Sequence, residues 1–159
     1  MIRLARLTDY GILLMTLVAR DAVPAAAAEP HTRAARDLAD EANLPLPTVS
    51  KIMKILLAAE LLVSHRGSKG GYGLARPAQE ISVAEIITAM EGPIGLTECS
   101  SLAGNCELTS FCPMRSNWAV ISEAVRDALQ NVKLAELVAP QLTHRGNIVF
   151  LQKPTGRTQ

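Results

Sequence analysis

Aromatic residues are scarce in this chain of 159 residues, where Phe, Trp and Tyr together make up 3%. Leu, Ile, Val and Ala must therefore fill the core, and the 48% hydrophobic content excludes a wholly disordered chain. Long apolar runs are missing too: none approaches the roughly 18 residues of a transmembrane helix. The N-terminal segment lacks a signal-peptide cleavage pattern. We therefore expect a cytoplasmic protein with no membrane partner, built as one small domain with or without an appendage.

Cysteine is rare as well, and its count of three is odd, so the thiols cannot all pair within the chain. In a reducing compartment they are better interpreted as metal ligands or reactive thiols. Cys99, Cys106 and Cys112 are separated by six and five residues, wider than the Cys-x2–4-Cys pairs of most zinc sites. They lie in residues 95–112, which show no sustained period. This spacing suits an iron–sulfur cluster, while a thiol redox switch, zinc or no ligand stays open.

The net charge of +1 hides an uneven distribution. Residues 47–76 contain five basic residues and one acidic residue, whereas residues 81–143 contain three basic and seven acidic ones. A basic segment beside an acidic one indicates a polyanion-binding face. Chance clustering on a solvated surface is the alternative.

Apolar residues recur at helical spacing in three segments of the N-terminal half. The first predicted helix begins at Thr8, which would cap it, and the second covers residues 32–42. The third begins at Pro47, whose missing N–H costs nothing in a first turn, and ends near Glu60. A turn of about four residues between the last two helices is typical of a helix-turn-helix.

The period then changes from helical to alternating. Residues 61–64 and 72–75 predict two strands joined by a glycine-rich turn, which is a β-hairpin. Ser82 and Glu85 form the pattern of a capping box at the start of a fourth helix. The fold class is therefore mainly α with a small β-hairpin wing, a winged helix-turn-helix.

A last helix of about 24 residues, about 36 Å long, is predicted from Pro113 onwards. Its apolar residues recur at alternating spacings of three and four, as in a coiled coil: Trp118, Ile121, Val125, Ala128, Val132 and Ala135. So long a seam does not fit on one small domain, which predicts a dimerisation helix in a homodimer. Packing against its own winged helix is the alternative.

These elements divide the chain into three parts. Residues 1–80 form the predicted DNA-binding winged helix-turn-helix. Residues 81–138 contain the cysteine loop and the dimerisation helix. Residues 139–159 form a partly disordered tail, in which residues 148–151 have the composition of an edge strand.

The second helix of a helix-turn-helix places its N-terminal residues in the major groove of DNA. Its hydroxyl groups can bond bases or phosphates, and its lysines can reach the backbone or guanine; these candidates are Pro47, Thr48, Ser50, Lys51 and Lys54. The hairpin tip is basic and would lie over phosphates or reach a minor groove, with His65, Arg66, Lys69 and Arg76. Gly70 and Gly71 let the backbone approach DNA closely. A P-loop is excluded because no Gly-Lys-Ser/Thr occurs, and a protein-interaction module is the alternative.

One stretch of the hairpin is more specific than the pattern around it: Arg66-Gly67-Ser68-Lys69-Gly70-Gly71-Tyr72-Gly73-Leu74-Ala75-Arg76-Pro77. Together with residues 44–65 before it and residues 81–92 after it, this wing resembles the IscR/NsrR family of winged-helix regulators. The likeness covers about residues 1–138. Within the family it is most similar to regulators of the SUF iron–sulfur assembly system.

The resemblance implies a homodimeric transcription factor, not an enzyme, which binds a partly palindromic operator in double-stranded DNA and takes no small-molecule substrate. It adds Tyr72 of the wing to the DNA-binding residues. It implies a [2Fe–2S] or [4Fe–4S] cluster on Cys99, Cys106 and Cys112, whose state sets DNA affinity. A repressor of the cluster-assembly operon fits this best.

The sequence departs from the family at the fourth ligand. Relatives with [2Fe–2S] use a His three residues after the last cysteine, where this chain has Arg115. Others use an acidic residue of the opposite subunit in a Thr-Asp context, so Asp9 is the candidate here. Asp9 could equally serve only to stabilise a helix N-terminus, and Glu98, Glu107, a small thiol or water stay open. The six-residue gap, where five is commoner, leaves the cluster type open.

Two other classes of function compete with this prediction. One is a regulator without a cluster, responding to thiol oxidation or to zinc. The other is an electron carrier or enzyme that uses the cluster. The sequence has no nucleotide fingerprint and its three histidines, His31, His65 and His144, are scattered, which disfavours an enzyme.

Overall fold

The computed structural model describes residues 4–20, 32–67, 70–97 and 112–138. Helices and one hairpin alternate along these ranges in the order α1 (Arg6–Arg20), α2 (Ala35–Ala42), α3 (Leu46–Ala58), β1 (Leu62–His65), β2 (Gly71–Leu74), α4 (Val83–Glu91), α5 (Arg115–Asn131) and α6 (Leu134–Val138). This confirms the predicted fold class. In the described ranges, no helix is both long and apolar enough to cross a membrane.

The helix-turn-helix forms where the sequence predicts it. Asn43 ends α2 in the left-handed conformation, with φ at 52°, which asparagine tolerates better than most residues. The N–H of Leu44 then bonds the carbonyl of Ala39 at 3.0 Å. Pro47 lies in the first turn of α3, as predicted.

The wing is an antiparallel hairpin that pairs Leu62 with Leu74 and His65 with Gly71. A short third segment continues the sheet, because Arg33 pairs with Tyr72 on the other edge of β2. Their backbone N–H groups and carbonyls bond both ways at 2.9 Å. The predicted start of the second helix at residue 32 is therefore wrong: this pairing holds Arg33 extended, and α2 begins only at Ala35.

Among the described residues, one hydrophobic core joins the winged helix to the helices that follow it. Leu, Ile, Val and Met fill this core, as the shortage of aromatics predicts. Its fully buried residues come from α1, α2, α3, α4, α6 and the segments between them, and include Leu14, Met15, Leu38, Ile52, Met53, Leu56, Ile81, Ile86 and Leu134. The division of the chain at residue 80 stays a prediction about roles.

The capping box at the start of α4 is confirmed. The Ser82 hydroxyl accepts a hydrogen bond from the Glu85 N–H at 3.2 Å, and the Glu85 carboxylate accepts from the Ser82 N–H at 2.8 Å. This reciprocal pair satisfies two backbone donors that a helix start otherwise leaves unbonded.

The predicted N-cap of α1 at Thr8 is wrong. The helix begins at Arg6, and Thr8 is a fully buried residue within it. Its hydroxyl donates to the carboxylate of Glu91 instead of bonding a neighbouring N–H. A contact across 83 positions replaces the local cap.

The prediction of one continuous C-terminal helix is also wrong, because the chain leaves the helical conformation at Val132. The Val132 carbonyl accepts from the Val83 N–H at 2.9 Å, and the Leu134 N–H donates to Ile81 at 2.8 Å. These bonds extend the backbone beside the start of α4 and separate α5, of 17 residues, from α6. α5 is therefore about 26 Å long, and the seam beyond Ala128 does not continue on it. Residues 98–111 and 139–159, including the predicted strand 148–151, lie outside the described residues.

Candidate nucleic-acid interface

Helix α3 has a buried face and a solvent face. Val49, Ile52, Met53 and Leu56 are fully buried. After the exposed Leu46 at the helix start, the exposed positions recur at spacings of four, three and four, and they are Pro47, Lys51, Lys54 and Ala58. Thr48 and Ser50 lie half-buried at the edges of this face. The structure thus brings all five candidate residues of α3 to the first turns of one helix, with both lysines directed to solvent.

The wing lies next to this helix, since α3 packs against β1. Arg66 follows β1 and is exposed, so its guanidinium is available to an anionic partner. Lys69 lies outside the described residues. An α3 face with two lysines beside a hairpin with an exposed arginine is a surface that suits a phosphate backbone.

Gly70 and Gly71 are required by the protein's own packing. A Cβ on Gly71 would lie 2.5 Å from the carbonyl oxygen of Arg33, and a Cβ on Gly70 would lie 2.5 Å from that of His65. Both distances are too short for any side chain. Their role in a close approach to DNA stays a prediction, whereas their role in closing the wing is visible in the fold.

Tyr72 is half-buried and packs against the core, and its backbone N–H and carbonyl are both bonded to Arg33. Its main chain is therefore committed to the sheet. Contact with DNA through its side chain stays a prediction.

Arg76 does not lie at the hairpin tip, which corrects the sequence expectation. It follows β2 and donates to the Glu85 carboxylate at 2.7 Å. Burial raises the pKa of Glu85, but hydrogen bonds from Arg76 and Ser82 outweigh it, so this pKa lies below its usual value. The hydrogen bond to Glu85 also raises the pKa of Arg76. One of the five basic residues of segment 47–76 is thus paired within the protein.

The predicted cluster ligands are only partly covered by the structure. Cys112 is a free, half-buried thiol just before α5, while Cys99 and Cys106 lie outside the described residues. Asp9 is exposed in the first turn of α1. Within the described ranges, no group of three His, Cys, Asp or Glu side chains is close enough to hold a metal ion.

The chain that leads into the cysteine loop is attached to α5. The N–H of Leu96 donates to the hydroxyl of Ser122 at 3.2 Å, and Arg126 donates to the carbonyl of Ile94 at 3.2 Å. Residues 94–96 therefore lie against the helix predicted to form the dimer.

Helix α5 packs one side against α4 and exposes apolar residues on the other. Val120 is 66% exposed and Ile121 43% exposed. Part of α5 therefore packs against the protein's own domain, where Ser122 is buried, as the alternative expected. Dimerisation through the predicted seam, of which Ile121 is exposed, stays a prediction.

Comparison with known protein families identifies the family of this chain. The model of the Rrf2 family, described as an iron-dependent transcriptional regulator, matches residues 4–140. The chain belongs to the Rrf2 family. This family consists of transcriptional regulators and not of enzymes, and the resemblance stated from the wing sequence is confirmed.

One curated Rrf2-type relative is the HTH-type transcriptional regulator IscR of Serratia proteamaculans. It is 32% identical over 105 residues, and the match covers 66% of this chain and 63% of that relative. The match thus spans less than two thirds of the relative's length.

Solved structures of similar fold include two called CymR. The global cysteine regulator CymR of B. subtilis is 25% identical with a TM-score of 0.66, covering 87% of this chain and 97% of that one. The oxidised form of CymR from Staphylococcus aureus is 29% identical with a TM-score of 0.64, covering 89% of this chain and 100% of that one. The Rrf2 fold is thus shared with regulators named for IscR and for CymR.

Sequence reasoning missed the contacts that Glu41 of α2 makes with two arginines. Glu41 accepts hydrogen bonds from both Arg20 and Arg33, and Arg33 also extends the wing sheet. Neither contact has a local signature, because the partners come from separate elements.

Proposed function

We propose that this Rrf2-family chain is a homodimeric DNA-binding repressor of SUF iron–sulfur assembly genes, which senses cluster, iron or redox status through a bound iron–sulfur cluster. The observation that carries DNA binding is the solvent face of α3, with Lys51 and Lys54 opposite a fully buried face and beside the wing. A helix held in this way can enter a major groove while the wing contacts the backbone.

The apolar side of α5 supports the homodimer. Val120 and Ile121 are large hydrophobic residues on an exposed helix face, and a second copy of α5 would bury them. A symmetric pair of α3 helices would then match a partly palindromic operator.

The donor set of the cysteine loop supports the cluster. Three thiols, on Cys99, Cys106 and Cys112, match the ligands that iron–sulfur clusters take, and the free thiol of Cys112 lies just before the start of α5. A bound cluster would supply a group sensitive to oxidants and to iron supply. Asp9 of the partner subunit is the proposed fourth ligand because of its Thr8-Asp9 context, and it is exposed at the start of α1.

The first experiment is anaerobic purification followed by an absorbance spectrum and counts of iron and acid-labile sulfide. We expect a brown protein with equal iron and sulfide, and the iron count per chain then distinguishes [2Fe–2S] from [4Fe–4S]. Cys106→Ser should lose the cluster and change DNA affinity while the dimer stays folded. Ser101→Ala, in the same loop, is the matched control and should keep both properties.

Two results would contradict this proposal. A protein that stays colourless and iron-free after anaerobic reconstitution would exclude the cluster. A Cys106→Ser variant that loses iron but binds DNA as tightly as the loaded wild type would exclude sensing through it.

The second candidate is a thiol-redox regulator without a cluster, acting through the same winged helix. The similarity to CymR structures, one of them an oxidised form, favours it. In that case an iron-free protein should change DNA affinity on treatment with hydrogen peroxide and recover with dithiothreitol. Zinc content, measured on the same sample, separates a zinc-bound form from both.

A further inference from the structure

Glu41 of α2 joins two arginines that are distant in the chain. One carboxylate oxygen, Oε1, accepts from Arg20 at 2.7 Å, and the other, Oε2, accepts from Arg33 at 2.6 Å. Arg20 is the last residue of α1, and Arg33 comes just before α2. The Glu41 side chain thus connects α2 with the end of α1 and with the segment that precedes α2.

Arg33 transmits this connection to the wing through its backbone. It exchanges two hydrogen bonds with Tyr72, and its carbonyl lies directly against Gly71, where even a Cβ would approach to 2.5 Å. A displacement of Arg33 must therefore displace β2 or break both hydrogen bonds.

These two ion pairs are expected to add little to the free energy of unfolding. The side chains of Arg20, Glu41 and Arg33 are 52%, 36% and 21% exposed, and ion pairs at such exposure contribute little to folding. Their effect is one of position, since they restrict where Arg33 lies relative to α2.

We propose that Glu41 is the positioning residue of the wing, which holds β2 at a fixed place relative to α2 and therefore relative to α3. This rests on the proposed DNA-binding function. The tight turn after Asn43 couples α2 to α3, so Glu41 sets the spacing between the two elements that contact DNA. A site contacted by both at once depends on that spacing, whereas non-specific attraction to phosphates does not.

The test compares Glu41→Ala with Asp40→Ala. Asp40 is exposed on the same helix, so its replacement removes the same charge from α2 without touching the arginines, and any gain in helix propensity at position 40 appears in the melting temperature. Amide hydrogen exchange by NMR follows the N–H groups of Arg33 and Tyr72, which bond each other's carbonyls. We expect exchange at both to quicken about tenfold in Glu41→Ala and to stay at the wild-type rate in Asp40→Ala, with melting temperatures of the two variants within a few degrees.

The DNA probe is a duplex of about 30 base pairs, enough for two half-sites, selected by the wild-type protein from a random-sequence pool. A scrambled duplex of equal composition measures non-specific binding. Glu41→Ala should bind the selected duplex about fivefold to tenfold more weakly than Asp40→Ala, with equal affinity for the scrambled duplex. Arg33→Met should reproduce this loss, and Arg33→Lys, which keeps a donor for Glu41, should restore most of the affinity.

The outcomes separate this inference from the function on which it rests. Equal exchange rates and equal affinities for Glu41→Ala and Asp40→Ala would overturn the positioning role alone. A wild-type protein that selects no DNA would overturn the proposed function and the consequence drawn for DNA, even if exchange at Tyr72 quickened. A Glu41→Ala variant that melts far below Asp40→Ala would overturn the inference in favour of a role in folding.

Discussion

The carboxylate of Glu91, at the end of α4, holds the first turn of α1 through two hydrogen bonds to one oxygen. The backbone N–H of Ala5 donates to it at 2.8 Å, and the buried hydroxyl of Thr8 donates to the same atom. An anionic group beside a helix N-terminus also interacts favourably with the helix dipole. Glu91 therefore replaces the local N-cap that α1 lacks and connects α1 with α4.

Thr8→Val tests this connection by removing the hydroxyl at nearly constant volume. The variant should lower the free energy of unfolding by about 1–2 kcal/mol, because one hydrogen bond to a charged group is lost at a buried position. Urea unfolding measures the change. Thr16→Val is the matched control, since the Thr16 hydroxyl bonds only the Ile12 carbonyl of its own helix, and an equal loss in both variants would contradict the prediction.

The pair formed by Arg76 and Glu85 predicts how stability depends on pH. The hydrogen bonds from Arg76 and Ser82 lower the pKa of Glu85 in the folded protein. Its contribution to stability is therefore complete above the unfolded pKa of about 4.3 and is lost as the pH falls from there through the lower folded pKa.

Glu85→Gln should accordingly be less stable than the wild type at pH 7. It should also lose less stability than the wild type as the pH falls from 5 to 3, a range that extends about one unit on either side of the ordinary pKa of Glu. Thermal unfolding at several pH values measures both effects. Glu123→Gln, on the exposed part of α5, should keep the wild-type acid dependence. Parallel curves for Glu85→Gln and the wild type would contradict the assigned pKa shift.

The exposed lysines of α3 predict a salt-dependent interaction with DNA. Lys51→Ala should weaken binding to all sequences alike and reduce the slope of log K against log salt by about 1, because one phosphate contact is lost. Fluorescence anisotropy at several salt concentrations measures the slope. Lys133→Ala, which removes a charge next to α6, is the control, and an unchanged slope for Lys51→Ala would exclude its phosphate contact.

Thr48 and Ser50 should act differently from the lysines, since the N-terminal hydroxyl groups of a recognition helix are expected to reach base edges. Replacing Ser50 by Ala should change base preference at one position of the selected site, by about 1–3 kcal/mol for a strong contact. The salt slope should stay as in the wild type. A uniform loss across all sequences would place Ser50 on the backbone instead.

If the exposed apolar side of α5, with Val120 and Ile121, forms the dimer interface, a charge placed there should prevent dimerisation. Ile121→Glu should shift the protein from dimer to monomer in analytical ultracentrifugation, because burying an unpaired carboxylate is strongly unfavourable. The control is Gln130→Glu, which adds the same charge at an exposed polar position of α5 and should leave the dimer intact. A dimeric Ile121→Glu would place the interface on another surface.

Much of the fold could be predicted from neighbouring residues because local interactions define it. The periodicity of α3 separates Ile52 and Leu56 from Lys51 and Lys54, which also made the candidate interface predictable. Pro47 and the Ser82 capping box marked helix starts correctly, since proline geometry and reciprocal side-chain bonds act within one turn. The alternating strands around the glycine-rich turn gave the wing for the same reason.

Other features depended on partners that are far away in the chain. The start of α1 follows from Glu91, the late start of α2 from the pairing of Arg33 with Tyr72, and the break at Val132 from its bond to Val83. Arg76 is not part of the basic wing tip, because it is bonded to Glu85 of α4. Residue types and helical periods describe each segment alone, whereas these contacts arise only when packing of the shared core brings distant backbone donors and charged groups within hydrogen-bond distance.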